Sequence, residues 1–263
     1  MKFKPKKKLG QNFLIDENIL NLIVELGEIK NDDIILEIGP GTGNLTKKIL
    51  SKNPKKLIVV EKDNYLAMNL QKKFKNKITI INEDILNIID KDLPKRKMIV
   101  FGNLPYNISS QILAGWIKHK NLNSIAKKFI LMFQKEVADR IIADSNDKNY
   151  GRLSILSSWR MDVKKIIEVN PNSFFPSPKV TSTILFFEPK KNYFKINNPK
   201  NLEYVTNIFF NQKRKMIKKH LNILFKNADE ISKKLKIDTT NRPQNLSPLI
   251  YFKLCKELEN LID

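Results

Sequence analysis

Short apolar runs alternate with longer amphipathic segments through the first half of this chain, and few folds accommodate that pattern. The runs are "IILEI" (34–38), "LIVVE" (57–61), "KITII" (77–81), "MIVF" (98–101) and "KFILMF" (128–133), with helical patterns near 44–52, 64–74 and 108–118. Strands separated by helices form right-handed βαβ units, so the spacing predicts an α/β domain with a mostly parallel sheet. A helix precedes the first strand: Asp16 stands where an N-cap belongs, and Ile19, Leu20, Ile23, Val24 and Leu26 share one apolar face. Two later runs, "VKKIIEV" (163–169) and "VTSTILFFE" (180–188), are joined by the proline-rich "NPNSFFPSPK" without a helix, which predicts an antiparallel pair. From about residue 201 the pattern is helical and strongly basic, so a boundary is expected near 190, separating 1–189 from a small all-helical domain, 190–263.

The charge balance narrows the partners. Among 263 residues, 48 Lys and Arg stand against 27 Asp and Glu, a net charge of +21. Such a surplus favours polyanions, nucleic acid or anionic lipid, although a chain this rich in Lys, Asn and Ile also carries the bias of an AT-rich genome. No run reaches the roughly 18 apolar residues of a membrane span. The basic start "MKFKPKKK" leads into "LGQNFLIDEN" instead of an apolar signal core. A single Cys255, in an amphipathic stretch, reads as a packed thiol in a reducing compartment. His119 and His220 lie far apart and fit no metal-ligand spacing, so both read as surface or structural residues, and no metal is expected.

Two stretches carry chemistry. "LEIGPGTGNLT" follows the first strand and opens a helix, and glycines at 39, 41 and 43 allow a tight turn with close approach to a ligand. Glu61 ends the second strand about twenty residues later, where an acid can take both ribose hydroxyls. Asp84, in "NED" after the third strand, falls on the same carboxyl edge. A dinucleotide fingerprint requires a third glycine where this chain has Asn44. The turn is G-x-G-x-G with Glu37 before it, the pattern of S-adenosylmethionine (SAM)-dependent methyltransferases. Each acid taken singly could be a helix cap or a solvated strand end.

The second stretch is "FGNLPYNIS" (101–109), on the same edge after the fourth strand. An exocyclic amine is a poor nucleophile because its lone pair is conjugated into the base. Neutral acceptors on its N–H groups draw it towards tetrahedral geometry and stabilise the positive charge that develops there. The Asn103 side-chain oxygen and a backbone carbonyl of the Leu104-Pro105 turn suit that task. Pro105 stiffens the turn, and Tyr106 offers a face for a base, a contact worth about 1–3 kcal/mol. No strong general base is needed, since the methylated ammonium loses its proton readily. The plain alternative is a strand-to-helix turn with a buried tyrosine.

"NLPY" matches the amide- and amine-methyltransferase pattern of Asp, Asn or Ser, an aliphatic residue or Pro, then Pro and an aromatic ring. With "KKLGQNFLID", "LEIGPGTGNLT", "VVEKD", "NEDIL", "FQKEVADRI", "YGRLSIL", "FFPSPKVTS" and "FFNQKRKMIKKHL" the chain resembles the ribosomal RNA adenine N6,N6-dimethyltransferases along nearly its whole length. It is most similar to the small-subunit (KsgA-type) branch, which dimethylates two adjacent adenosines near the 3′ end of small-subunit rRNA and is linked to subunit biogenesis. The large-subunit branch, which shares "QNFL" and the "NLPY" pattern, matches less well. The resemblance implies a Rossmann-like SAM-dependent methyltransferase domain with a seven-stranded sheet, to whose site the basic segment 1–15 contributes. It also implies SAM contacts from Asn12, Leu14 (through its backbone), Gly39, Gly41, Glu61 on the ribose, Asp84 on the adenine amine, and Asn103. Asn103, Leu104, Pro105 and Tyr106 would hold the target base, with Phe174 stacking on its other face, or Phe175 if the alignment is shifted by one. Ser177 stands where the family often has a third proline.

Lys213, Arg214 and Lys215 either form a solvated helix face or contact phosphates, and the resemblance favours rRNA. The remaining expectations are a monomer in the cytoplasm, acting on the small ribosomal subunit without a membrane. Two other functions stay open: a ribosome-assembly factor of the same family without catalysis, and an NAD oxidoreductase, which Asn44 and the lack of a hydride-handling His or Tyr-Lys pair disfavour.

Overall fold

The structure, a computed structural model, describes residues 10–89, 93–94 and 96–262. Most of the expected basic segment 1–15 therefore lies outside the described residues. The strands are β1 (Phe13–Leu14), β2 (Ile34–Ile38), β3 (Lys56–Val60), β4 (Thr79–Ile81), β5 (Met98–Asn103), β6 (Ala126–Gln134), β7 (Met161–Val169), β8 (Phe174–Phe175) and β9 (Ser182–Pro189). Seven of them form one sheet in the order β4-β3-β2-β5-β6-β9-β7. The pairs from β4 to β6 are parallel, and β9 runs antiparallel to β6. In β2, β3 and β5 nearly every side chain is buried, as strands with both faces covered require.

Helices join these strands, and several start from an aspartate cap. Asp16 accepts from the amides of Asn18 and Ile19 and starts helix Glu17–Gly27, whose Leu20, Ile23 and Val24 pack onto the sheet. Asp63 caps helix Asn64–Phe74 in the same way. A separate two-stranded ribbon pairs β1 with β8, aligning Phe13 with Phe175 and Leu14 with Phe174. Strands of two residues show no periodicity, and the sequence gives no sign of this ribbon.

The chain divides into two units: residues up to Ala138 with Asp162–Pro189, and Asp139–Met161 with Lys190–Asp263. A division falls at Pro189/Lys190, but the expected extent 1–189 of the first domain needs correction, because residues 139–161 belong to the helical unit. Within that unit Tyr150 donates its hydroxyl to the Leu246 carbonyl, Trp159 donates its indole N–H to Phe194, and the Lys190 amide bonds the Arg160 carbonyl. Helices Arg152–Arg160, Pro199–Asn211 and Pro248–Ile262 surround an aromatic core in which Phe209 meets Tyr251 edge-on. His220 is buried there, stacked on Phe209 at 5.2 Å with Nδ1 on the Met216 carbonyl, and has a structural role. Cys255 is a buried free thiol whose pKa burial pushes up to about 12.

Candidate functional site

The site is set by register. Ile38 of β2 pairs with Val60 of β3 on one side and with Gly102 of β5 on the other, so residues 39, 61 and 103 leave the carboxyl edge of the sheet side by side. The Gly39 amide bonds the Val60 carbonyl and the Glu61 amide bonds the Ile81 carbonyl, which brings the ends of β2, β3 and β4 into one row. The chain runs outward from β2 to β4 and then returns to β5, so the reversal in strand order lies between β2 and β5. Open α/β sheets bind ligands at such a point. A cavity of about 230 Å³ opens there, lined by the Gly39–Thr42 turn, Glu61, Asp84 and Asn103–Tyr106, and walled on one side by Gly10–Leu14.

The glycine turn is built for close packing. Gly41 has φ +58°, and a Cβ on it would lie 2.6 Å from the Phe13 ring, so the wall of the cavity rests directly on bare backbone. Gly39, at φ +67°, faces only the Asn103 carbonyl at 3.7 Å and otherwise opens into the cavity. Asn44, the residue that departs from a dinucleotide fingerprint, donates its side-chain amide to the Leu14 carbonyl at 2.8 Å and pins that wall.

Four carboxylates line the cavity, Glu37, Glu61, Glu83 and Asp84, and the three at or beneath the strand ends differ in state. Glu37 is 1% exposed and accepts from the Thr46 hydroxyl at 2.7 Å. Burial, offset in part by Thr46 and reinforced by the neighbouring Glu61, pushes its pKa up to about 8. Glu61 accepts from the amides of Asp63 at 2.8 Å and Gly41 at 3.2 Å. Burial still raises its pKa above the ordinary carboxylate range. Asp84 loses some hydration, but the Lys62 ammonium at 2.7 Å and the Leu86 amide outweigh that and hold its pKa low. Two amide-anchored carboxylates at the ends of β3 and β4, beside a backbone that a ligand can touch, form an acceptor set suited to a ribose diol and an adenine amine. The donor chemistry thus fits SAM.

Asn103 donates Nδ2 to the Asn12 carbonyl at 2.9 Å, which orients the amide and leaves Oδ1 as an acceptor. The Pro105 carbonyl accepts from the Ile108 amide and the Tyr106 carbonyl from the Ser109 hydroxyl, so both close the turn. Among the described residues this leaves the Leu104 carbonyl as the backbone acceptor beside Asn103. The Tyr106 ring is half-buried, its hydroxyl 2.6 Å from Ser182 Oγ, and burial raises its pKa.

The structure gathers Asn12, Leu14, Gly39, Gly41, Glu61, Asp84, Asn103, Leu104, Pro105 and Tyr106 around one cavity. Phe174 is the exception. It is 3% exposed and packed in the core with Leu14, whereas Phe175 is 61% exposed. Adjacent strand residues point to opposite faces, so in β8 the exposed ring is Phe175, and Phe174, expected to stack on the base, is instead buried in the core. Ser177, in place of a proline, donates to the Pro171 carbonyl at 2.9 Å and closes the segment around β8. Lys213, Arg214 and Lys215 sit in the helical unit, exposed on a turn between helices Pro199–Asn211 and Ile217–Leu224 and not on a helix face.

Sequence reasoning missed Ser182, the pin formed by Asn44, the Lys62–Asp84 pair, and Gln11, which donates to Asp63 at 3.2 Å. Gln11 and Lys62 lie inside recognised motifs, and that was their only local signal. Among the described residues no group of three or more His, Cys, Asp or Glu is placed to hold a metal, and no helix is long and apolar enough to cross a membrane.

Comparison with known proteins agrees with this architecture. The chain is 56% identical over 258 residues to the ribosomal RNA small subunit methyltransferase A of Pelagibacter ubique, covering 98% of each chain. It is 41% identical to the protein of the same name from Malacoplasma penetrans, covering 99% of this chain and 94% of that one. A dimethyladenosine transferase from Plasmodium falciparum superposes with a TM-score of 0.78 at 31% identity, over 94% of this chain and 98% of the other. The 23S rRNA methyltransferase ErmE shares the fold, with a TM-score of 0.69 at 21% identity, over 94% of this chain and all of the other. A sequence model of the ribosomal RNA adenine dimethylase family matches residues 2–260, and this chain belongs to that family.

Proposed function

We propose that this protein transfers methyl groups from SAM to the N6 amines of two adjacent adenosines near the 3′ end of small-subunit rRNA. The observation that carries the reading is the Asn103 amide. Its N–H is held by the Asn12 carbonyl, which leaves its oxygen as a neutral acceptor at the cavity that Asn103 and Leu104 both line. Two acceptors on one amine draw both N–H groups aside and turn the lone pair towards the cofactor side of the cavity. Tyr106 supplies one face for the base, and Phe175, the exposed residue of β8, supplies the other.

On the cofactor side, Glu61 takes the ribose hydroxyls, Asp84 takes the adenine amine, and the Gly39–Gly41 backbone allows close approach. The bound cofactor contributes an electrophilic methyl group. The chain's residues contribute position and charge stabilisation, and no side chain on the base side has to remove a proton before attack. The adenosine must leave any stack to reach the cavity, and Lys213, Arg214 and Lys215 contact phosphates that position the enzyme without reading sequence. The enzyme works where small subunits are assembled, in the cytoplasm, and as a monomer.

The test is transfer of tritium from labelled SAM to under-methylated small subunits, followed by mapping of the modified nucleosides. N6-dimethyladenosine at two neighbouring positions is expected; RNA counts at background would refute the catalytic reading and leave an assembly factor. Asn103→Ala should abolish transfer, a loss of at least a hundredfold, while small-subunit binding changes less than threefold. A near-wild-type rate would remove Asn103 from the acceptor role.

A further inference from the structure

The Tyr106 ring reaches from the turn after β5 across the end of β6 to the first residue of β9, where its hydroxyl meets Ser182 Oγ at 2.6 Å. Ser182 has no solvent exposure and is fixed from two directions. It pairs with Gln134 of β6, and the carbonyl of the preceding Thr181 accepts from the Lys135 amide at 2.9 Å. The connection that ends at Thr181 begins at Phe175, the last residue of β8. One buried hydroxyl therefore joins the "NLPY" turn to the connection that carries the second ring.

We infer that Ser182 is a positioning residue for methyl transfer, holding the far end of the Tyr106 ring in place so that the target base is clamped with its amine at Asn103. Rotation about a tyrosine's first side-chain torsion swings the whole ring and its hydroxyl, and a half-buried ring tethered only at its Cα can pivot in that way. A stacked base follows that pivot, and a displacement of the amine by a fraction of an ångström separates it from acceptors whose positions are fixed. A hydrogen bond at the far end of the ring removes the pivot at little entropic cost, because the serine is already immobile in the sheet. Burial keeps the phenol neutral, so the pair survives across the working pH range. The inference rests on the reading of Tyr106 as the base platform.

The test compares Ser182→Ala, Ser182→Thr, Tyr106→Phe, the double variant Tyr106→Phe/Ser182→Ala, and Tyr106→Ala. Single-turnover methylation of under-methylated small subunits is measured with saturating SAM, alongside SAM affinity and Tm. Ser182→Ala and Tyr106→Phe should each slow transfer roughly five- to tenfold, the size of one hydrogen bond. The double variant should be no slower than either single one, and Ser182→Thr should restore most of the rate. SAM affinity should stay within twofold throughout. A Ser182→Ala rate within twofold of wild type, losses that multiply in the double variant, or a threonine variant as slow as the alanine would each overturn the proposal while leaving the platform role intact. A Tyr106→Ala rate equal to wild type would instead overturn the platform itself. Should Ser182→Ala fail to fold, Tyr106→Phe reports on the same bond.

Discussion

Replacing Glu37 with glutamine should stabilise the cofactor-free protein, and increasingly so as the pH rises. The carboxyl is buried under the glycine turn with the Thr46 hydroxyl as its partner and Glu61 beside it, so ionisation is opposed by lost hydration and by a like charge. Its folded pKa, about 8 against an ordinary 4.5, is raised, so the folded state holds a proton that the unfolded state releases. Stability linked to this proton is complete below pH 4.5 and declines as pH rises from there to 8, because the folded state binds more protons over that window. At about 1.4 kcal/mol for each pH unit, the wild type should lose roughly 3 kcal/mol relative to Glu37→Gln between pH 4.5 and 7. The difference approaches about 5 kcal/mol by pH 9. Glutamine keeps an acceptor for Thr46 and has no charge to desolvate. At roughly 2–4 °C per kcal/mol for a domain of this size, the variant should match wild type in Tm at pH 4.5 and exceed it by on the order of 10 °C at pH 8.5. The assay is thermal or urea unfolding of both proteins from pH 4.5 to 9, where background titrations cancel in the difference. A Tm difference that stays constant with pH would show that Glu37 ionises normally in the fold, and the description of a dry carboxyl beneath the turn would be wrong.

The two adjacent phenylalanines of β8 should separate by their effects. Phe174→Ala should cost about 3–5 kcal/mol of stability as a core truncation, whereas Phe175→Ala should leave Tm unchanged and lower the methylation rate at least tenfold; the reverse pattern in paired unfolding and activity measurements would return the stacking role to Phe174. Asn44→Ala frees the Leu14 carbonyl from its pin and should weaken SAM binding roughly three- to tenfold by calorimetry, the range of one hydrogen bond, with small-subunit affinity unchanged. Replacing Lys213, Arg214 and Lys215 together with alanine should reduce the slope of log K against log salt for RNA binding by about 2–3, given roughly 0.7–0.9 per phosphate contact. An unaltered slope would make the turn a solvated one.

The parallel strands were legible because each is apolar from end to end and separated from the next by a helix-length segment. Their carboxyl ends could then be placed in one row from the sequence, and with them Gly39, Glu61, Asp84 and Asn103. Other features were hidden for physical reasons. The β1–β8 ribbon is two residues long on each side, too short to show a period, and its register decides which of two neighbouring phenylalanines is exposed. A shift of one residue exchanges the faces, so no spacing argument could choose between Phe174 and Phe175. Residues 139–161 carry an amphipathic pattern that shows a buried face but not which core buries it. The pins at Asn44 and Ser182 join residues 30 and 76 positions apart, and a single polar side chain gives no local sign of so distant a partner.

The cavity is divided by charge. Its cofactor side carries the carboxyls of Glu37, Glu61, Glu83 and Asp84, of which burial raises Glu37 and Glu61, while its base side carries an amide oxygen, a backbone carbonyl and a phenol kept neutral by burial. This division follows from the chemistry each side performs. An amine that attacks while already bound to a carboxylate would be fixed by a partner whose charge changes with pH and whose strong hydration opposes closure of the cavity. A neutral amide held by the Asn12 carbonyl stays the same from one turnover to the next, and its dipole stabilises the positive charge as it arrives on nitrogen. Titration therefore acts on this protein through the cofactor side. The carboxyl most subject to that effect is Glu37, the most deeply buried of them, which lost hydration and the neighbouring Glu61 hold in its protonated form.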